Sequence, residues 1–437
     1  MDKETIKQII KESQEANLPK MFARQMAVPL DSKKIIAITG PRRSGKTYFL
    51  YLLIKRLIEK GISKDRVLYI SFDDPRLQPS TAKDIELILE SYRELYPEHQ
   101  DKINFIFFDE IQNVTDWEVG VRRIHDTRKY TLFITGSSSK LLSKEIATNL
   151  RGRAITFEIL PFSFKEMLAA KNIDLDKDAI YSQKRFAIHK QLDSYLAMGG
   201  FPEVVLEKDP DLKVRILKEY WETMFFKDLV ERYNVKNQAL IRELMRYLAT
   251  NIASQFSLNA FYKWIKQTYP TTKRTLINYT FSLEDIGLFF LVRKFSYSLK
   301  EQTQTPRKCY IIDNGLRTVY GFKFSEDKGK FLENTVFLHL RHLQSTKPLM
   351  QVYYWQDYSR REVDFVVVDG RKVTNLIQVS ADVGNLQTKE REISSLIKAS
   401  KQLKCKNLSV ITLDCEKQEK IGKFTVTFKP LWKWLIG

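Results

Sequence analysis

The stretch that decides the fold is Lys34–Thr47, KIIAITGPRRSGKT. Its first half is a continuous apolar run, the pattern of a strand buried on both faces. Its second half, GPRRSGKT from Gly40 to Thr47, matches G-x-x-x-x-G-K-[ST]. That motif has physical meaning when it follows a strand and opens a helix, and the next residues, YFLYLLIKRLIEKG, read as a helix. Gly40 and Gly45 let backbone N–H groups turn inward as an anion nest, and the helix N-terminus adds its dipole. Pro41, Arg42, Arg43 and Ser44 complete the loop, and Tyr48 follows it. The expectation is a site for ATP and Mg²⁺ over Gly40–Tyr48, with Lys46 on the β- and γ-phosphates and the Thr47 hydroxyl on the metal.

Outward from this loop, the strands KIIAIT, RVLYISF, INFIFFDEI, YTLFITGSSS and RAITFEIL alternate with helical segments. Alternation with continuously apolar strands predicts a parallel sheet covered on both faces, over residues 1–160. In INFIFFDE, Asp109 ends its strand and so emerges at the carboxyl edge beside the loop. Asp109 is expected to hold Mg²⁺ through water, and Glu110 to orient or activate the attacking water. In ITGSSS, Thr135, Ser137 or Ser138 places a hydroxyl near the γ-phosphate or caps the next helix. In NLRGRAI, Arg151 and Arg153 are either fingers for a neighbouring subunit's nucleotide or ordinary salt-bridged arginines.

Past Pro161 the texture changes. Residues 161–238 read as a helical lid or linker, broken at MGGFPEVV, where Gly199–Gly200 and Pro202 mark a turn. Residues 239–325 read as a winged helix-turn-helix, short helices followed by a β-hairpin. Between 239 and 300 nine basic residues face three acids, the footprint of a nucleic-acid contact. Lys273, Arg274 and Asn278 fall on the candidate recognition helix, with Tyr279 beside them, and Arg293 and Lys294 on the wing. The alternative is a winged helix used only for packing. Residues 326–437 read as a smaller α/β domain. Its stretch EVDFVVVDGRKVTNLIQVS, Glu362–Ser380, is a strand, a tight turn and a second strand. Metal-dependent nucleases place carboxylates on such a hairpin. Here Asp364 and, on the preceding helix, Glu333 are acids, but Gln378 and Ser380 stand where an acid and a lysine belong. A neutral carbonyl is a poor substitute for a carboxylate on a hard cation, so a degenerate site is expected.

Four stretches, AITGPRRSGKTYFL, FIFFDEIQ, FITGSSSKLLSKEIATNLRGR and LPFSFKEML, resemble the AAA-type ATPases found widely in archaea and bacteria. The resemblance implies ATP binding and hydrolysis, and a C-terminal order of GGFPEVV-like turn, winged helix and restriction-endonuclease-like domain. The fold class expected is therefore α/β: a P-loop AAA-type sheet with a helical lid, a winged helix and a PD-(D/E)XK nuclease-like domain.

Composition agrees. At 437 residues the chain is long enough for about three domains. A net charge of +19 favours polyanionic partners, nucleic acid first and an anionic membrane surface second, or a lysine-rich surface laced with ion pairs. The three cysteines form no CxxC pair, so neither a zinc knuckle nor a disulfide framework is implied. No apolar run approaches the roughly 20 residues of a membrane span, and the charged N-terminus has no signal-peptide core, so a cytoplasmic protein without a membrane partner is expected. Two readings stand: an ATP-driven DNA-associated machine, or a nucleotide-controlled switch acting on a second copy or another protein. A metal-dependent nuclease is a third.

Overall fold

The structure is a computed structural model that describes residues 2–99, 102–136, 148–175, 183–322, 328–381 and 385–437. The chain forms two compact units, Met1–Leu160 with Asp285–Gly287, and Pro161–Glu284 with Leu288–Gly437.

The first unit is built on five strands: β1 (Ile35–Thr39), β2 (Val67–Ser71), β3 (Asn104–Asp109), β4 (Tyr130–Thr135) and β5 (Ala154–Glu158). Their order is β2-β3-β4-β1-β5, and every pairing is parallel. Successive residues of a strand point to opposite faces, so a continuous apolar strand serves two cores. Ile35 and Ala37 join Ile106, Phe108 and Ile134 under the helices Lys3–Glu15, Ala82–Leu95 and Trp117–Asp126. Ile36 and Ile38 join Phe107 and Phe133 under the helix Lys46–Glu59. Phe107 and Phe133 stack with centroids 4.5 Å apart. Burying each such side chain stabilises the fold by roughly 1.5–3 kcal/mol. The N-terminal helix docks by Ile6, Ile9 and Ile10, one helical face, and the Asp2 carboxylate caps it by accepting the Thr5 N–H at 2.8 Å.

The second unit begins with helices Phe164–Ala170, Lys184–Met198, Pro202–Leu206, Pro210–Thr223 and Gln238–Thr250. A π-helical segment, Met224–Glu231, continues from Pro210–Thr223. Next come helices Leu258–Ile265 and Lys273–Asp285 and an antiparallel sheet of β6 (Ser254–Phe256), β7 (Phe289–Val292) and β8 (Arg307–Ile311), in the order β6-β8-β7. The expected hairpin is thus wider than a wing. A helix, Leu299–Gln304, lies in the chain between β7 and β8, and a third strand pairs with β8. After the helix Lys328–Thr346, six strands form one mixed sheet: β9 (Met350–Gln356), β10 (Glu362–Asp369), β11 (Lys372–Val379), β12 (Leu408–Thr412), β13 (Lys417–Ile421) and β14 (Phe424–Pro430), in the order β9-β10-β11-β12-β14-β13. The β10–β11 pair is the antiparallel hairpin expected from its sequence, turning at Gly370.

The GGFP turn has a specific cause. Asp313 is buried, and its carboxylate accepts the N–H groups of Gly200 at 2.6 Å and Gly315 at 2.8 Å. Burial raises its pKa to about 7 while those N–H donors pull it back down. A Cβ on Gly199 would sit 1.7 Å from an Asp313 oxygen, and Gly199 has φ 75°. Glycine is the residue that lets the chain pass so close to the acid.

Candidate functional site

The phosphate-loop motif folds as a closed loop at the carboxyl end of β1. Gly40 has φ 146°, and a Cβ there would lie 2.1 Å from the Ile159 carbonyl. Gly45 is the left-handed N-cap of the helix that starts at Lys46. The Ser44 hydroxyl donates to the Pro41 carbonyl at 2.9 Å. Lys46 is buried, and its ammonium reaches back to the carbonyls of Gly40 at 3.3 Å and Pro41 at 3.1 Å. Arg24, which the sequence did not single out, donates to the Ser44 carbonyl at 3.0 Å and to the Leu160 carbonyl. It ties the loop to the end of the unit.

Asp109 emerges where its position at the end of β3 requires. It is 2 % exposed and held from both neighbouring strands: the Tyr69 hydroxyl of β2 donates to it at 3.0 Å, and the Thr135 hydroxyl of β4 donates to its other oxygen. The Thr47 hydroxyl also bonds to it. Burial raises its pKa, and these hydroxyls work against that rise. Glu110 has φ 53°, donates its N–H to Thr135 Oγ1 at 2.8 Å, and accepts from the Gln112 side chain. Its other oxygen lies 4.0 Å from the Lys46 ammonium. The structure therefore gathers Lys46, Thr47, Asp109 and Glu110 at one sheet edge.

The site fits ATP and Mg²⁺ on its own terms. Thr39 Oγ1, at the root of the loop, is buried without a hydrogen-bond partner, and the Gly40 approach leaves no room for a side chain. Around Asp109 the ligands on offer are a carboxylate and hydroxyls, the all-oxygen set a hard cation takes.

The second unit holds another polar cluster. Lys308 of β8 is 2 % exposed, and its ammonium lies 2.8 Å from Glu333, 2.6 Å from Glu362 and 2.8 Å from Asp364. The Tyr310 hydroxyl donates to Glu333 at 2.7 Å. Gln378 and Ser380 are both buried, and the Gln378 carbonyl oxygen accepts the Asp364 N–H at 3.3 Å. Glu333, Asp364 and Gln378 thus lie in one cluster. Lys308 and Glu362 were missed. The available signal was a lone lysine in the apolar strand RKCYIID, two residues before Tyr310 and so on its face.

On the helix Lys273–Asp285, Lys273, Arg274 and Asn278 are exposed, whereas Tyr279 is buried with its hydroxyl accepting the Asn237 N–H at 3.3 Å. A cleft of about 860 Å³ beside it is lined by Tyr233, Lys236, Thr272, Asn278 and Phe281 among others. Arg293 is exposed, but Lys294 is ion-paired to Glu301 at 2.7 Å and bridges to Tyr354 of β9.

Comparison with known proteins gives this arrangement a family. Residues 32–168 match the AAA domain family. An uncharacterized protein of Methanocaldococcus jannaschii is 38% identical over 430 residues, covering 96% of this chain and 92% of the relative. The chain belongs to that protein's family. In this chain the AAA domain is followed by two domains of unknown function, DUF8612 and DUF4143, matched over residues 189–326 and 328–434. An uncharacterized protein of Haemophilus influenzae is 32% identical over 320 residues, covering 73% of this chain and 77% of the relative. Among solved structures, the Aeropyrum pernix ORC1 protein in complex with DNA aligns at 13% identity and TM-score 0.29, covering 72% of this chain and 89% of that one. AMPPCP-bound DnaA from Aquifex aeolicus aligns at 18% identity and TM-score 0.24, covering 63% and 86%. Overlaps this weak leave the assignment on the AAA-domain match.

Within the AAA domain, Arg153 is paired with Asp126 at 2.9 Å, and Arg151 is exposed. Both precede β5, whose first residue pairs with Ile35 at the start of β1. They stand at the amino edge of the sheet, about 15 Å of strand away from the phosphate loop. Ser137 lies outside the described residues. No helix among the described residues is long and apolar enough to cross a membrane.

Proposed function

We propose that this chain binds ATP with Mg²⁺ over Gly40–Tyr48 and hydrolyses it, and that its nucleotide state governs a grip on DNA by the second unit. The observation that carries the reading is the meeting of Lys46, Asp109 and Glu110 at one sheet edge, with Lys46 and Glu110 4.0 Å apart. Mg²⁺, when bound by Thr47 and Asp109, supplies charge neutralisation on the phosphates. Lys46 exchanges the Gly40 and Pro41 carbonyls for phosphate oxygens. Glu110 holds the attacking water and takes its proton, with one oxygen anchored on Gln112. Arg151 and Arg153, at the far edge, serve a nucleotide only on a second copy.

Replacing Glu110 with glutamine is expected to lower ATP turnover by about 10²-fold or more while ATP binding stays within a few-fold of wild type. Unchanged turnover in a steady-state phosphate-release assay overturns the assignment.

In the second unit we read residues 161–238 as a lid, residues 239–325 as a winged helix and residues 326–437 as a PD-(D/E)XK nuclease-like domain that does not cut. Three helices followed by antiparallel strands support the second of these, and the exposed Lys273, Arg274 and Asn278 supply its contact with DNA. The same helix also exposes Ile277 and Phe281, which favours a protein partner as the second reading. Fluorescence anisotropy against salt separates the two. A DNA contact gives a steep salt slope that Lys273→Ala with Arg274→Ala reduces by about two. Absence of binding at low salt removes DNA and leaves the protein-switch reading.

A further inference from the structure

Three acids from two elements, Glu333 on the helix Lys328–Thr346 and Glu362 and Asp364 on β10, converge on an ammonium delivered by β8. We propose that Glu333, Glu362 and Asp364 form a seat for a hard divalent cation and that Lys308 is a built-in cation that keeps the seat filled. A cation already sits there, at 2.6–2.8 Å from three carboxylates.

Polar neighbours orient the ligands, as outer-shell groups do around a bound metal. The second Asp364 oxygen accepts the Val379 N–H at 2.9 Å, and the Asp364 N–H is taken by Gln378. Tyr310 fixes Glu333. The charge count also asks for more than one positive charge, since a single ammonium faces three carboxylates. A divalent ion balances this set better than a lysine does. At 2.6–2.8 Å from the centre, the oxygens are spread wider than the roughly 2.0–2.1 Å of Mg²⁺ and nearer the roughly 2.3–2.6 Å of Ca²⁺.

Lysine holds the seat because it is part of the chain and cannot diffuse away. Its strand pairs on both edges, with β6 and β7, so the ammonium is delivered by a fixed backbone. Withdrawing it means moving the strand. The role expected of Ser380 in a cutting enzyme, a lysine beside the metal, is replaced by a lysine in the metal's own place.

The test needs neither ATP nor DNA, so its outcome is independent of the proposed function. The full chain, free of nucleotide, is titrated with Mn²⁺ followed by electron paramagnetic resonance of the free ion, and with Ca²⁺ by calorimetry. The wild-type protein is expected to show no cation binding that Asp364→Asn removes. Lys308→Met is expected to gain one site, lost again when Asp364→Asn is added. Its melting temperature is expected to fall in EDTA and to recover with Mn²⁺ or Ca²⁺. Should neither Lys308→Met nor Lys308→Ser fold in EDTA, recovery of the native circular dichroism on refolding with Mn²⁺ supports the proposal, and its failure overturns it. Wild-type binding that depends on Asp364, or a folded Lys308→Met without a new site, also overturns it.

Discussion

Lys46→Ala is expected to weaken ATP binding by about 10²–10⁴-fold and to abolish measurable turnover. The ammonium makes two hydrogen bonds within the loop, to the Gly40 and Pro41 carbonyls. With a nucleotide present it makes charge-assisted contacts instead, each contributing about 1.5–3 kcal/mol, and 1.4 kcal/mol is a factor of ten. A second effect adds to the loss. Glu110 lies 4.0 Å from this ammonium, and Asp109 is buried next to it in sequence. Without Lys46 the site presents two acids to an incoming polyanion. Titration with a fluorescent ATP analogue, beside phosphate release, checks both numbers. Binding within five-fold of wild type, in a variant that melts normally, places the phosphates elsewhere.

The other large effect is expected at a glycine. Gly199→Ala puts a Cβ 1.7 Å from Asp313 Oδ1 and 2.2 Å from its Cγ, at a backbone φ of 75°. The carboxylate cannot swing aside without abandoning the Gly200 and Gly315 N–H groups, which are then buried unpaired. Each such loss costs about 1–3 kcal/mol, and the backbone strain about 1–3 more. The total of roughly 4 kcal/mol or above is a large share of a domain's usual 5–15 kcal/mol. Gly370→Ala is the control, because its φ is 59° and nothing lies within 4 Å of the added Cβ. It reports the conformational term alone, about 1 kcal/mol. Urea titrations of the two variants are expected to differ by at least about 3 kcal/mol, and near-equal midpoints would show that Asp313 is not the obstacle.

What could be read from the sequence, and what could not, divides along a physical line. The phosphate loop and Asp109 were legible because their geometry is local: a strand, a loop and a helix fix Lys46, and a strand end fixes Asp109. Hydrophobic period supplied the parallel sheet and the β10–β11 hairpin. Partners separated by long stretches of chain were not legible. Lys308 meets acids 25, 54 and 56 residues away, and no periodicity encodes that. Tyr279 was placed on the presented face of its helix but is buried against Asn237, because a helical pattern gives faces without saying which neighbour covers them. Basic composition overstated the free charge: Arg242 pairs with Glu222 and stacks on Phe225, and Lys294 pairs with Glu301.

The lysine among the acids also bears on how such a chain can be divided. Sequence families separate the second unit between residues 326 and 328. Folding does not recognise that cut. Tyr310 stacks on Phe337 at 4.3 Å, Asn334 pairs with both backbone groups of Ile311, and Lys308 supplies the counter-ion for Glu333, Glu362 and Asp364. The C-terminal module on its own would inherit three acids without their cation and an uncovered aromatic face. What the sequence models divide, these contacts join, and the ion pair is the seam.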